Sequence, residues 1–175
     1  TLPDSACVYC GNCIGVCPTG ALMGKTEHDL RGAGAWAPER QTTTDTICPY
    51  CGVGCQIDLH VRQDVVYRVD GRFDSPVNHG QLCVKGRFGY DFVHAPDRLT
   101  QPLMRRDRRA PLTPTSWEAA LDRVAQRMRL LRDESGPDSL AFLASAKCTN
   151  EENYLMNKFA RQMVGTNNID HCARL

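Results

Sequence analysis

Ten cysteines stand in the 175-residue chain, and eight of them fall into two runs whose spacing suits metal chemistry. The denser run is Cys48-Pro49-Tyr50-Cys51-Gly52-Val53-Gly54-Cys55, which Cys83-Val84-Lys85-Gly86 completes downstream as C-x2-C-x3-C-x27-C. Three thiols inside eight residues, separated by Pro and Gly, are not a pattern that ordinary core packing demands. A cubane [4Fe–4S] cluster needs four converging thiolates; a tight loop supplies three and a distant segment closes the cage. The glycines let the backbone curl around such a cluster and aim amide N–H groups at its sulfides. Structural zinc takes its ligands as two C-x2-C-like pairs, a poorer match to a split of three plus one. A disulfide staple suits neither the close spacing nor a chain with nothing secretory about it.

The second run, Cys7-Val8-Tyr9-Cys10-Gly11-Asn12-Cys13-Ile14-Gly15-Val16-Cys17-Pro18, has the bacterial ferredoxin spacing C-x2-C-x2-C-x3-C-P. In two-cluster ferredoxins the fourth cysteine of such a run serves the other cluster. Cys7, Cys10 and Cys13 are therefore expected to share a cluster with a cysteine upstream of Thr1, and Cys17 to belong to a second cluster. One site using all four is the alternative. Pro18-Thr19-Gly20-Ala21-Leu22 continues the ferredoxin pattern as a turn into a short strand. Lys85 lies two residues beyond the last cysteine of the denser set. It is either an ordinary exposed lysine or a fixed positive charge on the path of electrons, favouring the more negative, reduced partner.

Composition sets bounds on these readings. A net charge of +1 argues against an electrostatic nucleic-acid binder. The basic run Arg105-Arg106-Asp107-Arg108-Arg109, between prolines, reads as a solvated connector. No apolar run approaches the roughly 18–20 residues of a membrane span. So many cysteines in metal-type runs imply a reducing, cytoplasmic setting. The chain starts on Thr1 rather than Met and its helix-and-strand pattern is unfinished at Leu175, so it reads as a fragment of something longer.

The elements that must position the cysteines follow from periodicity. Residues 31–46, with Gly32-Ala33-Gly34-Ala35 and Thr42-Thr43-Thr44, read as a linker. Ile57, Leu59 and Val61 alternate with polar residues, and Gln63-Asp64 turns the chain into Val65-Val66-Tyr67-Arg68-Val69, a β-hairpin ended by Asp70-Gly71. His28, His60 and His79 read as surface residues. Thr115-Ser116-Trp117-Glu118 suggests a capping box with Thr115 as cap. Trp117, Ala120, Leu121, Val124, Met128 and Leu131 then follow at helical spacing to Gly136-Pro137. Residues 139–144 read as a buried strand. Asn150 caps a second helix with Leu155, Phe159 and Met163 on its core face, ended by Gly165. Helix, strand, helix at these lengths opens an α/β domain on a parallel sheet, with the loop Ser145-Ala146-Lys147-Cys148-Thr149 at the strand's carboxyl end, where such sheets bind ligands and a helix N-terminus suits an anion.

With these parts placed, the chain resembles the catalytic subunit of molybdenum- or tungsten-pterin formate dehydrogenases over nearly its whole length. The resemblance rests on residues 48–55, 83–92 and 153–161, and most specifically on Gly165-Thr166-Asn167-Asn168-Ile169-Asp170-His171-Cys172-Ala173-Arg174-Leu175. It implies a mixed α+β and α/β architecture. Residues 1–30 would be half of a bacterial 2[4Fe–4S] ferredoxin-like unit and 31–46 the linker. Residues 47–105 would be a small β-rich [4Fe–4S] domain and 106–175 the start of an α/β pterin-binding domain. It also implies that Cys48, Cys51, Cys55 and Cys83 bind the cluster nearest the pterin, and that Lys85 is the electron relay between that cluster and a bis(pterin guanine dinucleotide) carrying Mo or W. The ferredoxin half resembles the NAD-linked branch, whose partners are flavin- and iron–sulfur-bearing acceptor subunits. In the family a metal-ligating cysteine or selenocysteine directly follows the segment that ends here at Leu175. Either a UGA codon read as a stop or a sequencing or cloning boundary accounts for its absence. Cys172 matches the neighbouring position rather than that ligand, and Cys148 matches no family role.

The implied activity is oxidation of formate to CO2, with this segment supplying the electron path and having no formate activity alone. Three rivals share parts of the pattern. A nitrate reductase or other pterin oxidoreductase has the cluster motif but not the tail. A large iron–sulfur subunit of the respiratory complex I type keeps a similar domain without metal or pterin. A standalone ferredoxin-like module leaves the α/β portion unexplained.

Overall fold

In the computed structural model, which describes residues 4–172, the dense cysteine loop is the turn of a β-hairpin. Strand β1 (Thr42–Ile47) runs antiparallel to β2 (Gln56–Arg62), with Ile47 opposite Gln56, and the intervening residues form the loop. The Cys48 N–H closes that loop by donating to the Cys55 carbonyl at 2.8 Å. Part of the expected linker is therefore a strand. The residues Thr-Thr-Thr-Asp-Thr-Ile favour extended backbone by β-branching, but all six are exposed, so β1 lacks the apolar alternation that announces a half-buried strand.

Strand β3 (Val65–Gly71) completes a three-stranded sheet in the order β1-β2-β3. Gln63 and Asp64 take positive φ of 50° and 60°, the left-handed pair that matches a two-residue turn to the twist of its strands. The register slips after His60, which opposes Arg68 while Val61 opposes Val66, so Tyr67 is the extra residue of a bulge. Tyr67 packs edge-on against Trp36 at 5.8 Å between ring centroids, and Arg31 lies over the Trp36 ring at 4.9 Å. Helix α1 (Asn12–Gly15) belongs to the first cysteine run, and α2 (Lys25–Gly32) ties to β3 through the Arg68 Nη1 to Glu27 Oε2 bond of 3.1 Å. A five-residue helix, α3 (Val84–Phe88), follows Cys83 directly. Cys48, Ile57, Val69 and Leu82 are the buried core, with Tyr50, Cys55, Leu59, Val66 and Tyr90 packed on it. The ferredoxin-like run and the hairpin domain thus belong to one compact unit, which extends to Pro96 and takes in Lys147–Asn150.

The second unit comprises Asp97–Ala146 and the chain from Glu151. Strands β4 (Leu103–Met104) and β5 (Thr113–Pro114) form a small hairpin around the basic run. Helix α4 (Trp117–Ser135) starts one residue later than a Thr115 cap requires. Ser116 is the cap, its Oγ accepting the Ala119 N–H at 3.1 Å, while the Thr115 N–H is committed to the Pro102 carbonyl at 3.0 Å. Glu118 is therefore at the second helical position and no capping box forms. Gly136, with φ 80°, ends the helix.

Strand β6 (Phe142–Ser145) pairs in parallel with β7 (Ile169–Cys172). Between them lie α5 (Asn150–Lys158) and a wider π turn, Phe159–Val164, stopped by Gly165 at φ 89°. This is the strand–helix–strand unit of an α/β domain. Thr166, 2 % exposed, donates to Asp138 Oδ1 at 2.7 Å, and Asn168 Nδ2 donates to the Asp138 carbonyl at 2.9 Å, so two residues of the Gly-Thr-Asn-Asn segment fix the entry to β6 and β7. The expected core faces are not covered within the chain. Leu143 is 83 % exposed, and Trp117, Leu121, Val124, Leu155 and Met163 are exposed as well. Residues 139–144 are accordingly not a buried strand. Pro137–Ser139 is a 3-10 turn, and the strand begins only at Phe142. Among the described residues no helix is long and apolar enough to cross a membrane.

One packing constraint in the first unit is open to direct test. A Cβ at Gly71 meets the Gly80 carbonyl oxygen at 2.5 Å and its carbon at 2.7 Å, both backbone atoms that cannot swing aside. Gly71→Ala is expected to lower the stability of the protein by about 1–3 kcal/mol, read as a lower urea midpoint; an unchanged midpoint contradicts the packing.

Candidate metal centre

Cys83 has to be carried back to the loop that holds Cys48, Cys51 and Cys55, and one buried amide does most of this. Asn78, 8 % exposed, accepts the Gln56 N–H at 2.9 Å and donates from Nδ2 to the Gln56 and Gln81 carbonyls at 3.2 and 3.0 Å. It acts as a short extra strand partner at the start of β2, beside Cys55. Ser75, fully buried, shapes the turn that aims Asn78, its Oγ accepting from Val77 and Asn78. Leu82 then enters the core and Cys83 follows at the start of α3. The Tyr50 hydroxyl donates to the Gly89 carbonyl, tying the loop to the far end of that helix.

The structure brings Cys48, Cys51, Cys55 and Cys83 within electrostatic reach of one another. Burial pushes the Cys48 thiol up, a backbone N–H bond from Tyr50 pulls the other way, and Cys83 and Cys51 push it further up. Cys55 is raised first by burial and then by Cys48, Cys51 and Cys83. Thiols pushed up in this way, as Cys48 and Cys55 are, are stabilised as thiolates by a cationic centre among them. Among the described residues no three His, Cys, Asp or Glu side chains converge as a single metal ion requires. Gly86 is buried beside Leu82 and Cys48, with an added Cβ at ordinary contact distance, 3.6 Å from Cys48 Sγ.

In the first run, Tyr9 N–H points at Cys7 Sγ at 3.4 Å, and Gly11 takes φ 73° between Cys10 and Cys13. Cys17 is held separately, its Sγ 3.5 Å from both Thr19 Oγ1 and the Leu22 N–H. Those bonds, Thr19's first, lower the Cys17 thiol to about 7. Such N–H···S contacts are among the devices that tune cluster potentials. Upstream ligands lie outside the described residues, as do Ala173, Arg174 and Leu175, next to which the metal-ligating Cys or selenocysteine is expected. Lys85 is exposed on α3.

The two runs meet across α3. Gly11 packs so closely on it that a Cβ lies 2.6 Å from Arg87 Cδ and 2.7 Å from Phe88 Cζ. Arg87, 5 % exposed, donates from Nε to the Cys10 carbonyl, from Nη2 to Asn12 Oδ1 and from Nη1 to Asp70 Oδ1, each at 3.1 Å. Asn12 Oδ1 also accepts the Leu82 N–H at 3.0 Å. Asp70 lies 3.0 Å from His60 Nε2 and 2.7 Å from Arg68 Nη2, so His60 is a half-buried network member and not a surface residue. His28 is exposed beside Asp29, and His79 is exposed in its loop. None of Arg87, Asp70, Asn12 or Asn78 stood out in the sequence, because each is a single polar letter whose partners are remote in the chain.

Comparison with known proteins agrees with this arrangement. Residues 41–95 match the molybdopterin oxidoreductase Fe4S4 domain, residues 98–175 the molybdopterin oxidoreductase domain, and residues 3–23 a 4Fe-4S binding domain. The chain belongs to the molybdopterin oxidoreductases, whose cofactors are [4Fe–4S] clusters and a molybdenum or tungsten pterin. It is 39 % identical over 204 residues to "Probable oxidoreductase YjgC" of Bacillus subtilis, covering 98 % of this chain and 20 % of the relative. To the "NADPH-Fe(3+) oxidoreductase subunit alpha" of Geobacter sulfurreducens it is 41 % identical over 169 residues, covering 97 % and 19 %. To a Staphylococcus aureus protein named "Putative formate dehydrogenase" it is 33 % identical over 207 residues, covering 98 % and 20 %. The chain spans about a fifth of the length of these relatives.

The Asp70 network generates a prediction about stability. Burial alone raises the Asp70 carboxyl, but hydrogen bonds from His60 and Arg68 outweigh it and leave it below the ordinary value. A carboxylate with a lowered folded pKa contributes stability that is complete above its unfolded value of about 3.9 and lost as pH falls through the folded value. Asp70→Asn is expected to cost about 3 kcal/mol at pH 7 by leaving the buried Arg87 undercompensated. The gap to wild type, measured by chemical unfolding at a series of pH values, should close below about pH 4; a gap independent of pH contradicts the assignment.

Proposed function

We propose that this chain is the electron-transfer front of a pterin-dependent formate dehydrogenase. Cys48, Cys51, Cys55 and Cys83 hold the [4Fe–4S] cluster nearest the pterin, and Cys7, Cys10, Cys13 and Cys17 ligate further clusters with cysteines outside the chain. The observation that carries the proposal is the placement of α3, which borders both cysteine runs within one unit. A pterin-held metal would supply the two-electron chemistry of formate oxidation, and clusters held by these cysteines would supply one-electron transfer. The chain's own residues provide the path. The Cys48–Cys55 hydrogen bond fixes the loop, and Lys85 offers an exposed cation on α3 as the electron relay. Flavin- and iron–sulfur-bearing subunits are the proposed acceptors. Eight of the ten cysteines stand in the two runs read as cluster ligands, which supports a reducing, cytoplasmic setting.

A second reading has support in the 41 % identity to the Geobacter NADPH-Fe(3+) oxidoreductase subunit, against 33 % to the Staphylococcus protein. In that reading the same cysteines hold the same clusters and the two-electron partner is a nicotinamide nucleotide rather than formate.

The deciding experiment uses the full-length protein purified without oxygen. Reduction of the clusters on adding formate, followed by electron paramagnetic resonance, is the expected result. Reduction by NADPH through a partner subunit, with no response to formate, selects the second reading. Cys83→Ser is expected to remove or convert one cubane, lowering iron by up to about four per chain, while the remaining cluster signals persist. Lys85→Ala should slow turnover several-fold at unchanged iron content; wild-type turnover in that variant removes Lys85 from the path.

A further inference from the structure

Arg87 is the most buried cation of the first unit, and its three hydrogen bonds go to three different segments. Cys10 and Asn12 lie in the ferredoxin-like run, Asp70 lies on β3, and the Arg87 backbone N–H itself bonds to the Cys83 carbonyl at 3.1 Å. A guanidinium stays protonated at every working pH, and the planar fork fixes direction as well as distance. Only Asp70 offers it a full negative charge, and that carboxylate is shared with Arg68, which also pairs with Glu27. The result is a permanent and partly uncompensated positive charge bonded to the main chain of one cysteine run and one helical turn past the last cysteine of the other.

We propose that Arg87 is a positioning residue that docks the Cys7-to-Cys17 run on the Cys83 helix and biases the neighbouring cluster sites towards their reduced state. This rests on the reading that both cysteine runs hold [4Fe–4S] clusters. The electrostatic reasoning is direct. Each one-electron reduction adds negative charge to a cluster, and a fixed cation in a medium of low dielectric stabilises the added charge. The mechanical reasoning is separate. Gly11 has no room for a side chain against Arg87 and Phe88, so the docking geometry is tight and the fork of Arg87 is what orients it.

The two contributions are separated by three variants in the full-length holoenzyme, using redox-poised electron paramagnetic resonance. R87Q removes the charge; the midpoint of at least one cluster is expected to fall by a tenfold change in the reduction equilibrium, about 59 mV for a one-electron couple. The magnetic interaction between clusters should weaken in the same variant. R87K keeps the charge but not the fork, so the midpoints should return towards wild type while the interaction stays weakened. D70N removes the counter-charge, and the midpoint should move upward, opposite to R87Q. Full iron loading in R87Q with unchanged midpoints and interaction overturns the proposal, as do shifts of the same sign in R87Q and D70N. If R87Q fails to load iron, R87K and D70N decide: wild-type midpoints in R87K with an upward shift in D70N support the proposal, and any other pattern overturns it. Absence of cubane signals from the wild-type holoenzyme instead defeats the cluster reading itself.

Discussion

Bringing Cys83 back across 27 intervening residues to the loop of Cys48, Cys51 and Cys55 is the constraint on which the first unit depends. Closing a flexible loop of that length costs roughly 3 kcal/mol in its length-dependent part, and burial and the neighbouring thiols push the Cys48 and Cys55 thiols up. The fold itself meets the first cost. The β2–β3 hairpin absorbs much of the intervening chain in paired backbone, and Asn78 fastens the remainder to Gln56. Leu82 anchors the return in the same core as Cys48, so the fourth ligand is positioned by the hydrophobic cluster that seats the first.

How much of this the sequence discloses depends on whether a feature is local. Cysteine spacing is local, and so is the Gln63-Asp64 turn between two alternating runs; both are legible, and the hairpin falls where its pattern indicates. Strand β1 is not legible because its stability comes from main-chain pairing with β2 and its side chains are all exposed. The cap of α4 is misplaced by one residue because Thr115 is claimed by Pro102, a partner that the capping pattern does not include. Asn150 reads as a cap, yet its Nδ2 donates to the Gly52 carbonyl at 2.7 Å, almost a hundred residues away. Arg87 and Asp70 are hardest of all. A buried charge is recognised by its partners, and those of Arg87 lie 17, 75 and 77 positions off.

In the second unit the helical periodicities predict the elements correctly and their burial incorrectly. Periodicity reports which residues share a face, not whether anything covers it. Parallel strands are ordinarily covered on both faces. Here β6 has a single strand partner, β7, and Leu143 is largely solvent-exposed. Among its described residues the unit buries Ala160 and Val164 of the π turn and Thr166, which donates to Asp138 Oδ1, while exposed Asn168 bonds the Asp138 carbonyl and accepts the Phe142 N–H at 2.8 Å. The Gly-Thr-Asn-Asn segment that carries much of the family resemblance is thus explained in part by strand entry rather than by ligand chemistry.

The short helix α3 reconciles the two cysteine runs through consecutive residues. Successive side chains on a helix diverge by about 100°, so neighbours in sequence face different surroundings. Gly86 is buried beside Leu82 and Cys48; Arg87 faces Cys10 and Asp70 and is buried; Lys85 is left exposed. A lysine at the Arg87 position lacks the fork that reaches two side-chain oxygens and a carbonyl together. The run Cys83-Val84-Lys85-Gly86-Arg87-Phe88 thus sets side by side a cysteine returned to its loop, an exposed cation, a buried glycine, and a buried cation bonded to the next run.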